Sequence, residues 1–169
     1  HRTRTPAFDT DGYLYVSVGS ASNVDANSDR ARVVRFDPAQ VEAGAPFTEA
    51  EVWADGTRNE VGLRFDAAGR LWGVENGSDN LRRDDLGGDI HDDNPGEEVN
   101  IFDRPGAFYG YPYCWSEGAL PAAFAEGPGT QWAYPSAAPD DAWCRDPANV
   151  VPPVMVMQAH SAPLDLLFY

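Results

Sequence analysis

A short hairpin pattern occurs twice in this chain of 169 residues, and it constrains the fold more than any other feature. Residues 8–15 read FDTDGYLY, and residues 65–72 read FDAAGRLW, 57 positions further on. In each copy the Asp-x-x-Gly step predicts a tight turn between two short alternating strands, because glycine adopts positive φ without a steric cost. Two more strand candidates lie between the copies, Arg32–Phe36 and Ala50–Trp53. Four short antiparallel strands in each repeat predict the blades of a β-propeller.

The fold class predicted from this repeat is all-β. A β-sandwich would also have many short strands, but it would not repeat the hairpin sequence. We expect blade-like units over residues 1–56 and 57–115, an irregular loop region over 116–153, and the start of a further blade over 154–169. The second unit carries a polar, acidic insertion at residues 80–100, for which the sequence predicts a surface loop. The apolar run at 166–169 resembles an interrupted strand, which predicts a fragment of a longer protein.

Charge composition excludes one class of partner. The chain has 12 basic and 27 acidic residues, for a net charge of -15, and every basic residue is an arginine. Nucleic acids carry the same sign of charge, so we expect no nucleic-acid partner. No apolar run approaches the roughly 20 residues of a membrane-spanning helix, so none is predicted in this segment.

The two cysteines, Cys114 and Cys144, lie thirty positions apart in aromatic surroundings. Their spacing matches no metal-binding motif. A disulfide that closes an irregular loop is the favoured interpretation, and it implies an oxidising compartment. Two buried free thiols are the alternative.

Polar residues precede matching strands at three places. Arg58 and Asn59 come before the second hairpin, and a guanidinium beside an amide can hold a carboxylate or polarise a carbonyl. His1 and His160 occupy similar places before the first hairpin and before residues 163–168, where the sequence predicts the start of a third copy. A neutral imidazole at a channel mouth can act as a general base. The alternatives are an ordinary ion pair for Arg58 and structural roles for the histidines.

An oxygen-rich turn follows the second hairpin. The backbone carbonyls of Gly77 and Ser78, with the acidic residues that follow, suit Ca²⁺, which binds six to eight oxygens. The spacing is not that of an EF-hand, and a solvated acidic surface is the alternative.

Several motifs in series resemble those of a known family, the soluble quinoprotein sugar dehydrogenases. These six-bladed, glucose/sorbosone dehydrogenase-like propellers use pyrroloquinoline quinone (PQQ), and the PQQ-dependent pyranose dehydrogenases are the most similar subgroup. The matching segments are Thr57–Asp66, Glu75–Ser78, Asn94–Asn100, Tyr109–Pro112 and Ala159–Pro163. Six blades would need roughly 350 residues or more, so the resemblance implies a fragment of about two to three blades.

The resemblance implies a role for each candidate residue. His1 matches the catalytic base that accepts the proton of the anomeric hydroxyl group. Arg58 and Asn59 match the pair that contacts the quinone, Arg58 also stabilising negative charge during catalysis. Tyr109 and His160 match residues near the cofactor, and the carbonyls of Gly77 and Ser78 match Ca²⁺ ligands. The family often has proline where Ser78 stands, a change that leaves the carbonyl in place.

The predicted function is PQQ- and Ca²⁺-dependent oxidation of a monosaccharide, an aldose or pyranose, by a secreted or periplasmic enzyme. Electrons would pass to an external acceptor, such as a quinone, a dye or a cytochrome. Two alternatives stay open, because function does not follow from fold: a non-catalytic extracellular binding module and a Ca²⁺-dependent propeller lactonase or hydrolase. A lactonase would need side-chain carboxylates that point into the channel.

Overall fold

The computed structural model describes residues 4–135 and 139–169, and most of its regular structure is β-strand. Its helices are α1 (Pro38–Ala43) and α2 (Asp141–Arg145), with short 3₁₀ turns at Phe47–Glu49 and Asp84–Leu86. The strands are β1 (Pro6–Phe8), β2 (Leu14–Val18), β3 (Arg32–Phe36), β4 (Glu51–Asp55), β5 (Glu60–Phe65), β6 (Leu71–Glu75), β7 (Arg82–Arg83), β8 (Gly88–Asp89), β9 (Glu97–Ile101), β10 (Ala107–Phe108), β11 (Cys114–Ser116), β12 (Gln131–Ala133) and β13 (Met155–Met157). This content agrees with the predicted all-β class.

Two larger sheets form the body of the structure. The first has the order β1-β2-β3-β4-β10, with antiparallel neighbours except that β10 runs parallel to β4. The second has the order β13-β9-β6-β5, and all its neighbours are antiparallel. Two small hairpins, β7-β8 and β11-β12, complete the strand pairing. The six predicted strands, two in each hairpin copy and two between the copies, fall within the two larger sheets.

The two repeated turns have the same local structure, as the hairpin pattern predicts. Gly12 and Gly69 have φ values of +86° and +78°. In the first turn, Asp9 Oδ1 accepts hydrogen bonds from two backbone N–H groups of the turn. Asp66 Oδ1 does the same in the second turn. The repeat is therefore structural, with the aspartate shaping each turn from inside.

The main hydrophobic core lies between the two larger sheets. Tyr15 on β2 packs edge-to-face against Phe65 on β5, with ring centroids 5.3 Å apart. Thr5 Oγ1 also donates a hydrogen bond across the interface to the Val61 carbonyl at 2.5 Å. This packing fixes the strand ends of one sheet relative to the other, so loops from both sheets meet at one edge.

The acidic insertion differs from its predicted surface loop. Residues 97–100 belong to β9, a central strand of the second sheet, and Glu97–Asn100 are buried. Leu81, Leu86 and Ile90 are also buried, and they form a cluster with aromatic residues of the β11-β12 hairpin. The prediction of a surface loop is wrong at these positions because spaced apolar residues anchor the insertion, and because charged side chains concealed the strand pattern.

The predicted disulfide is confirmed. Cys114 on β11 and Cys144 on α2 are bonded, with their Cα atoms 5.8 Å apart. A cross-link over a loop of about 30 residues stabilises the fold by about 3–4 kcal/mol through loop-closure entropy. The bond attaches α2 to the β11-β12 hairpin, which borders the candidate site.

Strand β13 joins the second sheet, a pairing that the sequence-based division into units does not include. That division puts residues 154–169 in a further unit, whereas Met155–Met157 (β13) pairs with β9 at the edge of the second sheet. Residues 158–169 have no regular secondary structure. None of the helices in the described ranges is long and apolar enough to cross a membrane.

Candidate functional site

Arg58 lies immediately before β5, and its side chain is almost fully buried. Its Nε donates to the Asn23 carbonyl and its Nη2 donates to Asn23 Oδ1, both at 3.1 Å. Its Nη1 donates to the carbonyl oxygen of Asn76 at 2.9 Å and also to that of Gly77. The Asp79 carboxylate lies 3.7 Å from Nη2. The guanidinium thus joins the loop after β2 to the loop after β6.

The Gly77-Ser78 step follows β6 and packs against the start of β9. The Gly77 N–H donates to Glu97 Oε2 at 2.5 Å. A Cβ at Gly77 would lie 2.9 Å from Cγ of Pro95, so this close approach requires glycine. The hydroxyl groups of Ser78 and Tyr134 are 2.5 Å apart. Ser78 is buried and Gly77 is half-buried, and hydrogen bonds hold the step on several sides.

Asn59 follows Arg58 in the chain, and Tyr109 lines the same small cavity as Arg58. Asn59 is buried, and its carbonyl accepts a hydrogen bond from the Asn76 N–H at 3.1 Å. The Tyr109 hydroxyl donates to the Ile101 carbonyl at 2.8 Å, and burial raises the pKa of Tyr109. Arg58 and Tyr109 both line a small cavity of about 10 Å³, which has room for about one water molecule. Tyr109 therefore borders the site on the side of the hydrophobic core.

His160 reaches the same site through a carboxylate. Its Nδ1 lies 3.7 Å from Asp79 Oδ1, and Asp79 Oδ2 faces Arg58. Its Nε2 lies 2.5 Å from the carbonyl oxygen of His91. His160 is exposed and has a φ of 58°, in the left-handed region that residues other than glycine seldom adopt.

The structure therefore brings most of the candidate residues together. Arg58, Asn59, Gly77 and Ser78 form one continuous group, with Tyr109 at its inner border and His160 next to Asp79. The predicted base, His1, lies outside the described residues.

Asn23 and Tyr111 also belong to this site, and the sequence assigned a role to neither, although Tyr111 lies in the matching segment Tyr109–Pro112. Asn23 accepts from Arg58 and also bonds Asp79, whose N–H donates to its Oδ1 at 2.7 Å. The Tyr111 hydroxyl donates to the Asn23 carbonyl at 3.2 Å. Asn23 lies in a polar loop that shows no periodicity, so only the packing of the two sheets reveals its role.

Three buried glutamates form a row across the second sheet at the same edge. In the strand register Glu60 faces Glu75, and Glu75 faces Glu98. Burial raises the pKa of each carboxyl, and the neighbouring carboxylates raise those of Glu60 and Glu75 further. The Arg58 N–H donates to Glu75 Oε1 at 3.0 Å, which links this glutamate row to the site. This row is unexpected, because acidic residues are seldom fully buried unless they are paired.

We expect Glu60→Gln in the full-length protein to change how stability depends on pH. The folded-state pKa of Glu60 lies above its unfolded value, so unfolding releases a proton between the two. Stability should therefore be full below about pH 4.3 and fall as the pH rises toward the folded pKa. Glutamine keeps the shape but cannot ionise, so the variant should exceed the wild type in Tm by about 3 °C or more near pH 8.

Thermal unfolding measured from about pH 4 to pH 8 tests this expectation. Glu49→Gln is the matched control, because Glu49 is exposed. Parallel Tm profiles for Glu60→Gln and the wild type would contradict a raised pKa of the buried Glu60 carboxyl.

The donor set at this site fits both predicted ligands. The carbonyl oxygens of Asn76 and Gly77, with the Asp79 carboxylate beside the same guanidinium, offer the oxygen atoms that suit a hard cation. In residues 4–135 and 139–169, no three His, Cys, Asp or Glu side chains are arranged to hold a metal ion. A cation held by this part of the chain would thus need backbone carbonyls. Arg58 adds the fixed positive charge that suits the carboxylates of a quinone.

Comparisons with known proteins show the family to which this chain is similar. A family model described as TrAA12-like matches residues 1–169. The chain is 36% identical over 175 residues to a "Pyrroloquinoline quinone-dependent sugar dehydrogenase" of Hypocrea jecorina, covering 92% of this chain and 40% of the relative. It is 37% identical over 171 residues to a "Pyrroloquinoline quinone-dependent pyranose dehydrogenase" of Coprinopsis cinerea, covering 90% of this chain and 23% of the relative.

Solved structures give the same result. The iodide structure of a Trichoderma reesei carbohydrate-active enzyme of family AA12 matches with a TM-score of 0.84 and 33% identity, covering 98% of this chain and 45% of that one. The holo form of the PQQ domain of a Coprinopsis cinerea pyranose dehydrogenase matches with a TM-score of 0.83 and 33% identity, covering 99% and 45%. The resemblance predicted from the motifs is confirmed, and the chain spans less than half the length of these relatives.

Proposed function

This chain belongs to the TrAA12-like family, and we propose that it is part of an enzyme that oxidises an aldose or pyranose sugar using PQQ and Ca²⁺. The relatives named above are PQQ-dependent sugar and pyranose dehydrogenases. Electrons would leave through an external acceptor. Because this chain covers only part of those relatives, the activity is proposed for the full-length protein.

We propose that the two larger sheets are neighbouring blades of a six-bladed propeller. Each contains four antiparallel strands, and the same aspartate-shaped turn recurs between the first two strands of both. Neighbouring blades would direct the loops around Arg58 and Gly77 toward a shared axial cavity. Blades from the rest of the protein would close that cavity.

One observation carries the proposal: the Arg58 guanidinium donates to the Gly77 carbonyl. Arg58, which is predicted to bind the quinone, therefore lies next to a carbonyl that is predicted to bind the cation. We propose that the carbonyls of Gly77 and Ser78 hold Ca²⁺, and that Arg58 and Asn59 hold PQQ. Tyr109 and His160 would limit the pocket on the core side and the solvent side.

When bound, PQQ with its Ca²⁺ supplies the electron-accepting chemistry that protein side chains lack. The chain supplies binding, orientation and charge. Arg58, fixed by Asn23 and Asn76, would stabilise negative charge where it develops, at no cost of reorganisation. His1 would accept the proton of the sugar hydroxyl as a general base.

The disulfide supports a location outside the reducing cytosol, so we propose a secreted or periplasmic enzyme. Its partners would be a monosaccharide and an electron acceptor such as a quinone, a dye or a cytochrome.

The proposal is tested on the full-length protein prepared without cofactor. Dye reduction by monosaccharides should require PQQ and Ca²⁺ together, and each alone should give background rates. Sugar-dependent dye reduction that needs neither would refute the proposed function. Binding of sugar without any turnover in the presence of both would favour the binding-module alternative.

A further inference from the structure

Glu97, the first residue of β9, joins two loops of the candidate site. It is buried, and its Oε2 accepts a hydrogen bond from the Gly77 N–H at 2.5 Å. Its Oε1 faces the Ala162 N–H at 3.4 Å. One carboxylate therefore connects the loop after β6 to the segment that carries His160. None of the proposed roles above involves this side chain.

The peptide group between Asn76 and Gly77 is held at both ends. Its carbonyl accepts from Arg58 at 2.9 Å, and its N–H donates to Glu97. Because a trans peptide is planar, two opposed hydrogen bonds fix its orientation. The direction of the next carbonyl, that of Gly77, follows from this plane by rotation about the Gly77 Cα, and Arg58 also donates to that carbonyl.

Gly77 cannot supply this restraint itself. Glycine has the greatest backbone freedom of any residue, and a Cβ here would collide with the Pro95 ring. The hydrogen bond from the Gly77 N–H to Glu97 therefore limits the backbone rotation that glycine itself leaves free.

The second loop also needs support. His160 and Ala162 have φ values of 58° and 48°, in the left-handed region. Such conformations are strained for residues other than glycine and persist where neighbouring contacts hold them. The contact from Glu97 to the Ala162 N–H is one such contact, and it keeps this segment against Gly77.

We propose that Glu97 is a positioning residue that orients the Gly77 carbonyl for Ca²⁺ and holds the His160 segment beside it. The inference rests on the proposed function, because it assumes that Ca²⁺ binds at Gly77. It assigns Glu97 no contact with sugar or quinone.

Glu97→Gln should weaken Ca²⁺ binding by about 10- to 100-fold, as is usual when a group that orients a metal ligand is lost. Glutamine has one acceptor oxygen, so its NH₂ group would face one of the two N–H donors and release it. Isothermal titration of the PQQ-free, full-length protein with CaCl₂ measures this Kd. Thermal unfolding in EGTA reports stability separately.

Glu117→Gln is the matched control. Glu117 is also buried, and its two oxygens accept from the N–H groups of Glu126 and Gly127, both at 3.1 Å. This control should lower Tm like Glu97→Gln but leave the Kd for Ca²⁺ within about twofold of the wild type.

Each outcome decides the inference. A Kd weakened only in Glu97→Gln supports it. Equal Kd values for Glu97→Gln and the wild type, or equal weakening in Glu117→Gln, overturn it and leave the proposed function intact. A wild type that binds no Ca²⁺ overturns both. If Glu97→Gln does not fold, Glu97→Asp replaces it, because the shorter carboxylate cannot reach both loops and should weaken binding in the same direction.

Discussion

Arg58→Ala in the full-length protein is expected to reduce PQQ-dependent sugar oxidation by about 100-fold or more. The guanidinium is buried and donates to Asn23, Asn76 and Gly77, so its position is fixed before any ligand binds. Alanine removes both the charge that would face the quinone and the link between two loops. The measurements are kcat/KM with saturating Ca²⁺ and the Kd for PQQ, and both should worsen.

Two further variants separate charge from geometry. Arg58→Lys keeps the charge but not the planar fork of donors, so it should recover only part of the PQQ affinity. Arg82→Ala removes a guanidinium that pairs with Asp84 at the exposed surface, and it should behave as the wild type. If Arg58→Ala binds PQQ and turns over sugar normally, the quinone lies elsewhere in the protein.

His1→Ala should lower kcat by about 10²- to 10⁴-fold while PQQ and Ca²⁺ still bind. The expectation follows from the family resemblance, in which this position supplies the base. A general base acts on the proton of the sugar and contributes little to holding the cofactor. Steady-state kinetics and a PQQ titration of the same preparation therefore separate the two effects.

His91→Ala is the control for His1→Ala. It removes another imidazole and its edge-to-face contact with the His160 ring, but keeps the backbone carbonyl that contacts His160 Nε2. Its turnover should stay close to that of the wild type. A His1→Ala enzyme with unchanged kcat would remove His1 from the proposed reaction.

The repeat allowed much of the fold to be predicted from sequence. The aspartates and glycines of the two turns encode local structure, and both turns have the expected geometry. The sequence did not predict β9, because Glu97, Glu98 and Asn100 resemble the polar residues of a solvent-exposed loop. Their burial depends on strands and loops distant in the chain, and it raises the pKa of the Glu98 carboxyl.

The candidate site was likewise only partly predictable from the sequence. Arg58 precedes β5 and Gly77 follows β6, the two paired strands of one hairpin, so their proximity follows from the sequence. The contact of Arg58 with Asn23 depends on how the two sheets pack, which no local pattern encodes. The glutamate row likewise requires the strand register, since Glu60, Glu75 and Glu98 become neighbours only when three strands pair.

A crystal structure of the full-length protein with PQQ and Ca²⁺ tests the central claim most directly. We expect the Ca²⁺ ion, identified by its anomalous signal, on the carbonyl oxygens of Gly77 and Ser78, and the quinone in contact with Arg58. Ca²⁺ and PQQ bound at a place that Arg58, Gly77 and Ser78 do not touch would contradict the account.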